Sequence, residues 1–253
     1  MISRDRVGED AAKVGTEIDT WLTSPAGVVY PPAPWNLRGT AYVSLWQIRA
    51  SALPFDAVPG RLRPISAFGR VVVGTAFAIY EPAGDLAYHE VLAAVQVHGG
   101  TRPSVTVPFV WVDHPASVAG ARTLWSIPKQ EGVFGIPLAF EAQQVELEAR
   151  AAGSDGQLIA ALRFRSRTSI PGRWPVPLSI LQETLDKSSG RGVQRTPAQV
   201  WARVSLGDAT WSFARQGPLG FLHGRNPLVS ASLRQMTLKI GGRDHLPSER
   251  HKS

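Results

Sequence analysis

Residues Asp113–Phe134 read DHPASVAGARTLWSIPKQEGVF, a stretch that sets Lys129 behind Trp125, Ile127 and Pro128. The chain has five lysines against twenty-two arginines, and the other four, Lys13, Lys187, Lys239 and Lys252, lie in segments that read as polar or surface-facing. An ammonium that follows apolar residues and a proline loses hydration, which disfavours its charge and draws its pKa toward that of a usable free amine. A neutral amine attacks a carbonyl to form a Schiff base. The same residues also describe a lysine whose stem packs on Trp125 while its head reaches water or pairs with Glu131, on the same face if this is a strand.

Outward from this stretch the chain reads mostly as strands. Val105–Val112 (VTVPFVWV) leads into it, and Pro108 restricts that strand to an edge or a bulge. Upstream, Tyr88–His98, Arg70–Tyr80 and Tyr42–Ile48 read as strands, with Gly74 marking a bulge or a close approach. Downstream, Val145, Leu147 and Ala149 alternate with Glu146, Glu148 and Arg150, and a Ser154-Asp155-Gly156 turn returns the chain through Leu158–Arg165 as a hairpin. Pro171–Pro177 reads as a connection, Leu178, Leu181 and Leu185 as one face of a short helix, and Ser188–Arg195 as a loop. Val200–Leu206, Thr210–Ala214 and Met236–Ile240 read as strands, while Leu219–Leu233 gives mixed signals.

Val7, Ala11, Val14, Ile18 and Trp21 recur at helical spacing, so residues 1–25 are expected to form an amphipathic helix packing on the main body. Residues 26–242 are expected to form one domain and 243–253 a polar, flexible tail. Many short strands separated by Gly and Pro turns, with few helices, give a mainly β (α+β) domain that closes or nearly closes its sheet. Side chains from several strands converge inside a closed sheet.

The 253 residues contain no cysteine, which excludes disulfides, thiol catalysis and cysteine-ligated metal. The six histidines show no ligand spacing, so no metal is expected. No apolar run is long enough to cross a membrane as a helix, and the start lacks the apolar core of a signal peptide, which gives a cytoplasmic protein with no membrane partner as the expectation. A net charge of +7 raises nucleic acid as a partner. The positive charge is scattered arginine, however, and Arg163, Arg165 and Arg167 alternate as one solvated strand face, so a small anionic substrate uses the same field equally well and nucleic acid is not expected.

The ordered residues resemble the acetoacetate decarboxylase family. That family's lysine segment runs aspartate, Pro-Ala, Gly-Arg-Glu-Leu, then Pro-Lys; here stand Asp113, Pro115-Ala116, Ala121-Arg122-Thr123-Leu124 and Pro128-Lys129. Tyr88-His89-Glu90 is similar to the family's Tyr-x-Glu, and Arg38, in Trp35-Asn36-Leu37-Arg38, to its active-site arginine. The resemblance runs from about Pro31 to Ile240. It implies a closed, antiparallel, cone-like β-barrel with a few peripheral helices, a homo-oligomer, and lysine Schiff-base chemistry without metal or organic cofactor. On that template Lys129 is the nucleophile toward a keto acid or other carbonyl compound, Glu90 moves a proton, and Arg38 holds a substrate carboxylate or orients the glutamate. Trp125, Thr75, Tyr88, Arg122 and Gln130 complete the expected site.

Departures from the family pattern narrow the chemistry. Where the decarboxylases carry a second lysine directly after the first, whose charge lowers the first lysine's pKa, this chain has Gln130, leaving burial or another cation such as Arg122 to act on Lys129. The decarboxylases' second glutamate falls on Thr75, which cannot supply a carboxylate, and another acid is lost at Thr123. These losses weigh against acetoacetate decarboxylation itself and leave aldol, dehydration, cyclisation or other decarboxylation outcomes open. A non-catalytic β-barrel that binds an organic acid, with Lys129 as its counter-ion, is the alternative.

Overall fold

Long alternating strands define the architecture. The computed structural model describes residues 21–55, 57–99, 103–135, 144–152, 156–185 and 192–242. The expected helix in residues 1–25 lies almost entirely outside them, as does the 243–253 tail. Two short strands, β1 (Leu22–Thr23) and β2 (Val29–Tyr30), pair with each other ahead of the main sheet. The main sheet comprises β3 (Trp35–Arg49), β4 (Ser66–Ala67), β5 (Arg70–Tyr80), β6 (Tyr88–Val97), β7 (Ser104–Val112), β8 (Gln130–Gly135), β9 (Gln144–Ala151), β10 (Leu158–Ser169), β11 (Trp174–Glu183), β12 (Val193–Ser212) and β13 (Val229–Ile240). One α-helix, α1 (Pro115–Trp125), connects β7 to β8.

Following the ladders from β3 through β5, β6, β7, β11, β12 and β13 leads back to β3, so the sheet is ring-like. β7 pairs parallel with both β8 and β11, so the ring is mixed where uniformly antiparallel pairing was expected. A parallel pair needs a crossover connection, and α1 provides the one between β7 and β8.

Among the described residues, two large cores fill the interior. One gathers Trp35, Leu37, Tyr80, Tyr88, Trp125 and Ile127, the other Trp46, Phe77, Trp111, Leu147, Phe164 and Trp211. β6 separates them: Tyr88 and Ala94 face the first core, and Val91, Ala93 and Val95 the second. A strand buried on both faces reads as a nearly continuous apolar run, which is the sequence character of Tyr88–Val97. β12 spans both regions, pairing with β11 over its first half and with β10 over its second. At Gly207 a Cβ would lie 2.3 Å from the Arg165 carbonyl oxygen, so only glycine permits that close pairing with β10.

Pro108 lies within a bulge of β7, since Thr106–Phe109 spans three steps against two for Val95–Ala93 on β6. The β9–β10 hairpin forms as read, although residues 154 and 155 of its turn lie outside the description. No bulge occurs at Gly74, whose ladders to β3 and β6 run unbroken. The helix expected through Leu178, Leu181 and Leu185 is instead largely strand β11. Ile180 faces the first core, with Leu178 packed against it, whereas Leu181 joins Leu62 and Val97 in a separate small cluster, so the leucines serve opposite faces of a doubly covered strand. The stretches Val200–Leu206 and Thr210–Ala214, read as two strands, fall mostly within the single 20-residue β12.

Candidate active site

Lys129 owes its position to the way α1 ends. His114 caps the helix start, its Nδ1 accepting from the Ala116 amide at 3.2 Å, and Pro115 opens the first turn. At the other end Ser126 takes a left-handed conformation (φ 55°), and the Ser126 and Ile127 amides donate to the carbonyls of Arg122 and Ala121. The Ser126 hydroxyl donates to Gln194 Oε1 at 2.9 Å, tying the helix end to β12. The Lys129 amide then donates to the Ile127 carbonyl at 2.8 Å across Pro128, a tight turn that points the lysine inward.

Lys129 and Glu90 are each only 5% exposed, and Nζ lies 2.6 Å from Glu90 Oε2. Nζ also donates to the Tyr88 hydroxyl at 3.0 Å and to Ser117 Oγ at 2.9 Å. An ammonium carries three donors, and these acceptors occupy all three. Tyr80 donates to the other carboxylate oxygen, Glu90 Oε1, at 3.4 Å. Tyr80 and Tyr88 are directly paired across β5 and β6, with ring centroids 4.6 Å apart.

Two opposed effects act on the lysine. Burial pulls its pKa down, as the sequence led one to expect, but the Glu90 carboxylate and then Tyr88 more than offset this, and the pKa lies above the ordinary lysine value. Lys129 therefore rests as an ammonium. Burial, reinforced by Glu90, pushes the Tyr80 phenol well above its usual value. Burial likewise raises Tyr88, although Lys129 opposes it. Both phenols stay protonated at neutral pH and serve as hydrogen-bonding groups.

The pair borders a cavity of about 410 Å³ whose walls are predominantly apolar. Trp125 and Tyr88 line it, and Trp125 meets Trp35 edge-on at 4.6 Å. Thr75 also borders it, but alternates with Gly74 and Ala76, and its hydroxyl accepts from Trp46 Nε1 at 2.9 Å in the second core. Three expected residues lie elsewhere. Strand alternation puts Leu37 on the cavity and leaves Arg38 exposed outside; Arg122 is on the exposed side of α1; and Gln130 is exposed at the start of β8. Arg122 thus exerts no depressing influence from within the site.

Tyr80, Ser117 and Trp35 were not singled out from the sequence. Tyr80 and Tyr88 flank the EPAGDLA turn, so a hairpin reading of that segment pairs them. Ser117 shares a helical stripe of buried small residues with Gly120 and Ala121. Among the described residues no group of three or more His, Asp or Glu is placed to hold a metal ion, and no helix is long and apolar enough to cross a membrane.

No protein-family model and no curated protein matches the sequence. Solved structures do. Acetoacetate decarboxylase from Legionella pneumophila aligns with a TM-score of 0.65 and 13% identity, covering 89% of this chain and 92% of that one. The enduracididine biosynthesis enzyme MppR complexed with pyruvate aligns with a TM-score of 0.61 and 17% identity, covering 86% and 93%. An acetoacetate decarboxylase-like enzyme from Sphingomonas wittichii RW1 gives 0.58 and 16%, covering 87% and 96%. At such identities the likeness is one of fold, and this chain, far diverged in sequence, has the fold of the acetoacetate decarboxylase-like proteins.

Proposed function

We propose that this protein is an enzyme that forms a Schiff base between Lys129 and the ketone or aldehyde group of a keto acid or another carbonyl compound. The observation that carries the reading is the buried Lys129–Glu90 pair on the wall of a cavity large enough for a small organic molecule. A structure of similar fold is complexed with pyruvate, itself a carbonyl compound.

In the proposed mechanism the Lys129 ammonium first passes a proton to Glu90 across their 2.6 Å hydrogen bond. The freed amine attacks the carbonyl carbon, the C–N bond forms, and a proton moves from nitrogen to oxygen to give a carbinolamine. Glu90 returns its proton to the hydroxyl, water leaves, and a protonated imine faces a carboxylate again. The imine is an electron sink for a C–C or C–H bond broken next to it, which accommodates decarboxylation, aldol or dehydration, and cyclisation. Tyr88 and Ser117 hold Nζ in place, and Tyr80 steadies Glu90. The reading takes the ring-like sheet as a closed cone-like barrel, the assembly as a homo-oligomer and the site as independent of metal or organic cofactor.

The alternative, Lys129 as counter-ion for a bound organic acid, has against it that the cation already has a buried carboxylate partner. Borohydride reduction in the presence of a carbonyl panel tests the reading: a reduced adduct mapping to Lys129 by peptide mass supports it, and no adduct, or one on Lys239, sinks it.

A further inference from the structure

We infer that the cavity takes a neutral, mainly apolar ketone or aldehyde in preference to a keto acid or other small anion. The inference rests on the imine reading for how the carbonyl is held and on the cavity wall for the rest of the molecule. Among the described residues that line the cavity, Lys129 is the only cation and Glu90 the only carboxylate, and each neutralises the other. The expected anion-binding arginine, Arg38, lies on the outer face. A substrate carboxylate would lose its hydration against Leu37, Leu92, Val107, Leu178 and Val200 with no counter-charge of its own, and would compete with Glu90 for Lys129.

Size points the same way. At about 30 Å³ per water molecule, a space of about 410 Å³ corresponds to on the order of a dozen non-hydrogen atoms, well beyond a three-carbon keto acid. Two cavity-lining side chains, Leu45 and Val176, are 45% and 44% exposed and mark an open apolar rim. With the carbonyl at Lys129, the alkyl or aryl remainder of the substrate lies along the wall toward that rim. Each methylene buried there adds roughly a fourfold preference, so a chain of several carbons outweighs a small acid.

The test uses the full-length protein with methyl heptyl ketone, its secondary alcohol, octanoate and pyruvate. Borohydride trapping reads imine formation on Lys129; tryptophan fluorescence, reporting on Trp35 and Trp125, reads binding of the unreactive alcohol and of octanoate. The expected result is trapping of the ketone, and binding of the alcohol, at concentrations about tenfold or more below those for pyruvate and octanoate respectively. Pyruvate trapped as readily as the ketone, or octanoate bound as tightly as the alcohol, overturns the substrate class while leaving the imine reading intact. Alcohol preferred over octanoate with no carbonyl trapped supports the apolar occupant and removes the imine reading. Val176→Arg places a cation at the exposed rim and is expected to narrow the alcohol-over-octanoate ratio; an unchanged ratio puts the ligand elsewhere and overturns the inference.

Discussion

Lys129 Nζ stands 2.6 Å from Glu90 Oε2 with both side chains out of water, and Glu90 together with Tyr88 offsets the burial that would otherwise strip the lysine of its charge. Replacing Glu90 by Gln removes the largest influence that raises the Lys129 pKa and leaves burial to lower it. The pH at which Lys129 reacts with an amine-directed acylating reagent is expected to fall in Glu90→Gln. Turnover of a carbonyl substrate is expected to fall about 10²–10⁴-fold in the same variant, the usual scale of a lost proton-transfer group. An acylation profile that does not move would show that Glu90 does not hold the lysine charged.

The same shift carries a stability statement. Lys129 has a folded pKa above its unfolded value near 10.5, so its contribution is complete below that value and is lost as pH rises through the folded pKa. Denaturant titrations should show the wild type losing stability in that alkaline window, relative to Lys129→Met, whose curve lacks this component.

Breaking a buried ion pair from one side strands a charge. Lys129→Met and Glu90→Leu are each expected to cost about 3–5 kcal/mol, and the double variant less than the sum of the two. Additive losses in urea melts would mean that the two groups do not sense each other.

Helix α1 lies so close to Trp35 that a Cβ on Gly120 would come within 2.4 Å of the indole Cζ2. Gly120→Ala is therefore expected to destabilise the protein by about 1–3 kcal/mol, despite alanine's better helix propensity, and to alter fluorescence from the Trp35–Trp125 pair. A stabilised variant would contradict the observed contact.

Asp113 joins β7 to β6 through the His89 amide at 2.7 Å and the His89 ring. Burial tends to raise its carboxyl, but the hydrogen bonds from His89 outweigh this and hold the pKa below the usual 3.8. A depressed carboxylate contributes stability that is present above its unfolded pKa and fades as pH falls through the folded one. Asp113→Asn should cost about 1 kcal/mol at neutral pH, with the difference from wild type closing under strong acid. A gap that persists there would assign the effect to packing.

Much of the sheet was legible because alternation survives wherever one face meets a core. β5, β6 and the β9–β10 hairpin follow from their residue patterns, and Pro108 announced its bulge. Leucine spacing in β11 misled because both faces of that strand are covered, which leaves no polar face to mark period two. Helix α1 hid because its buried face, apart from Trp125 at its end, is built from Ala116, Ser117, Gly120 and Ala121, residues too small to register as an apolar stripe. In the site, Lys129, Glu90, Tyr88 and Trp125 were legible from their order along the chain, and the structure brings these four together. Arg38 was misplaced because residue spacing alone does not reveal which side of a strand a side chain takes; one step in register decides it.

β6 is hydrogen-bonded to β5 on one edge and β7 on the other, with a packed core on one face and the cavity wall on the other, so its backbone amides are released only when neighbouring strands part. Its amide protons at Glu90, Val91 and Leu92 should accordingly be among the slowest in the chain to exchange with deuterium. The Glu90 carboxylate that pairs with Lys129 is thus mounted on a strand held by ladders on both edges, and partial denaturation that frays the rim at Leu45 and Val176 is expected to leave the reactive pair assembled.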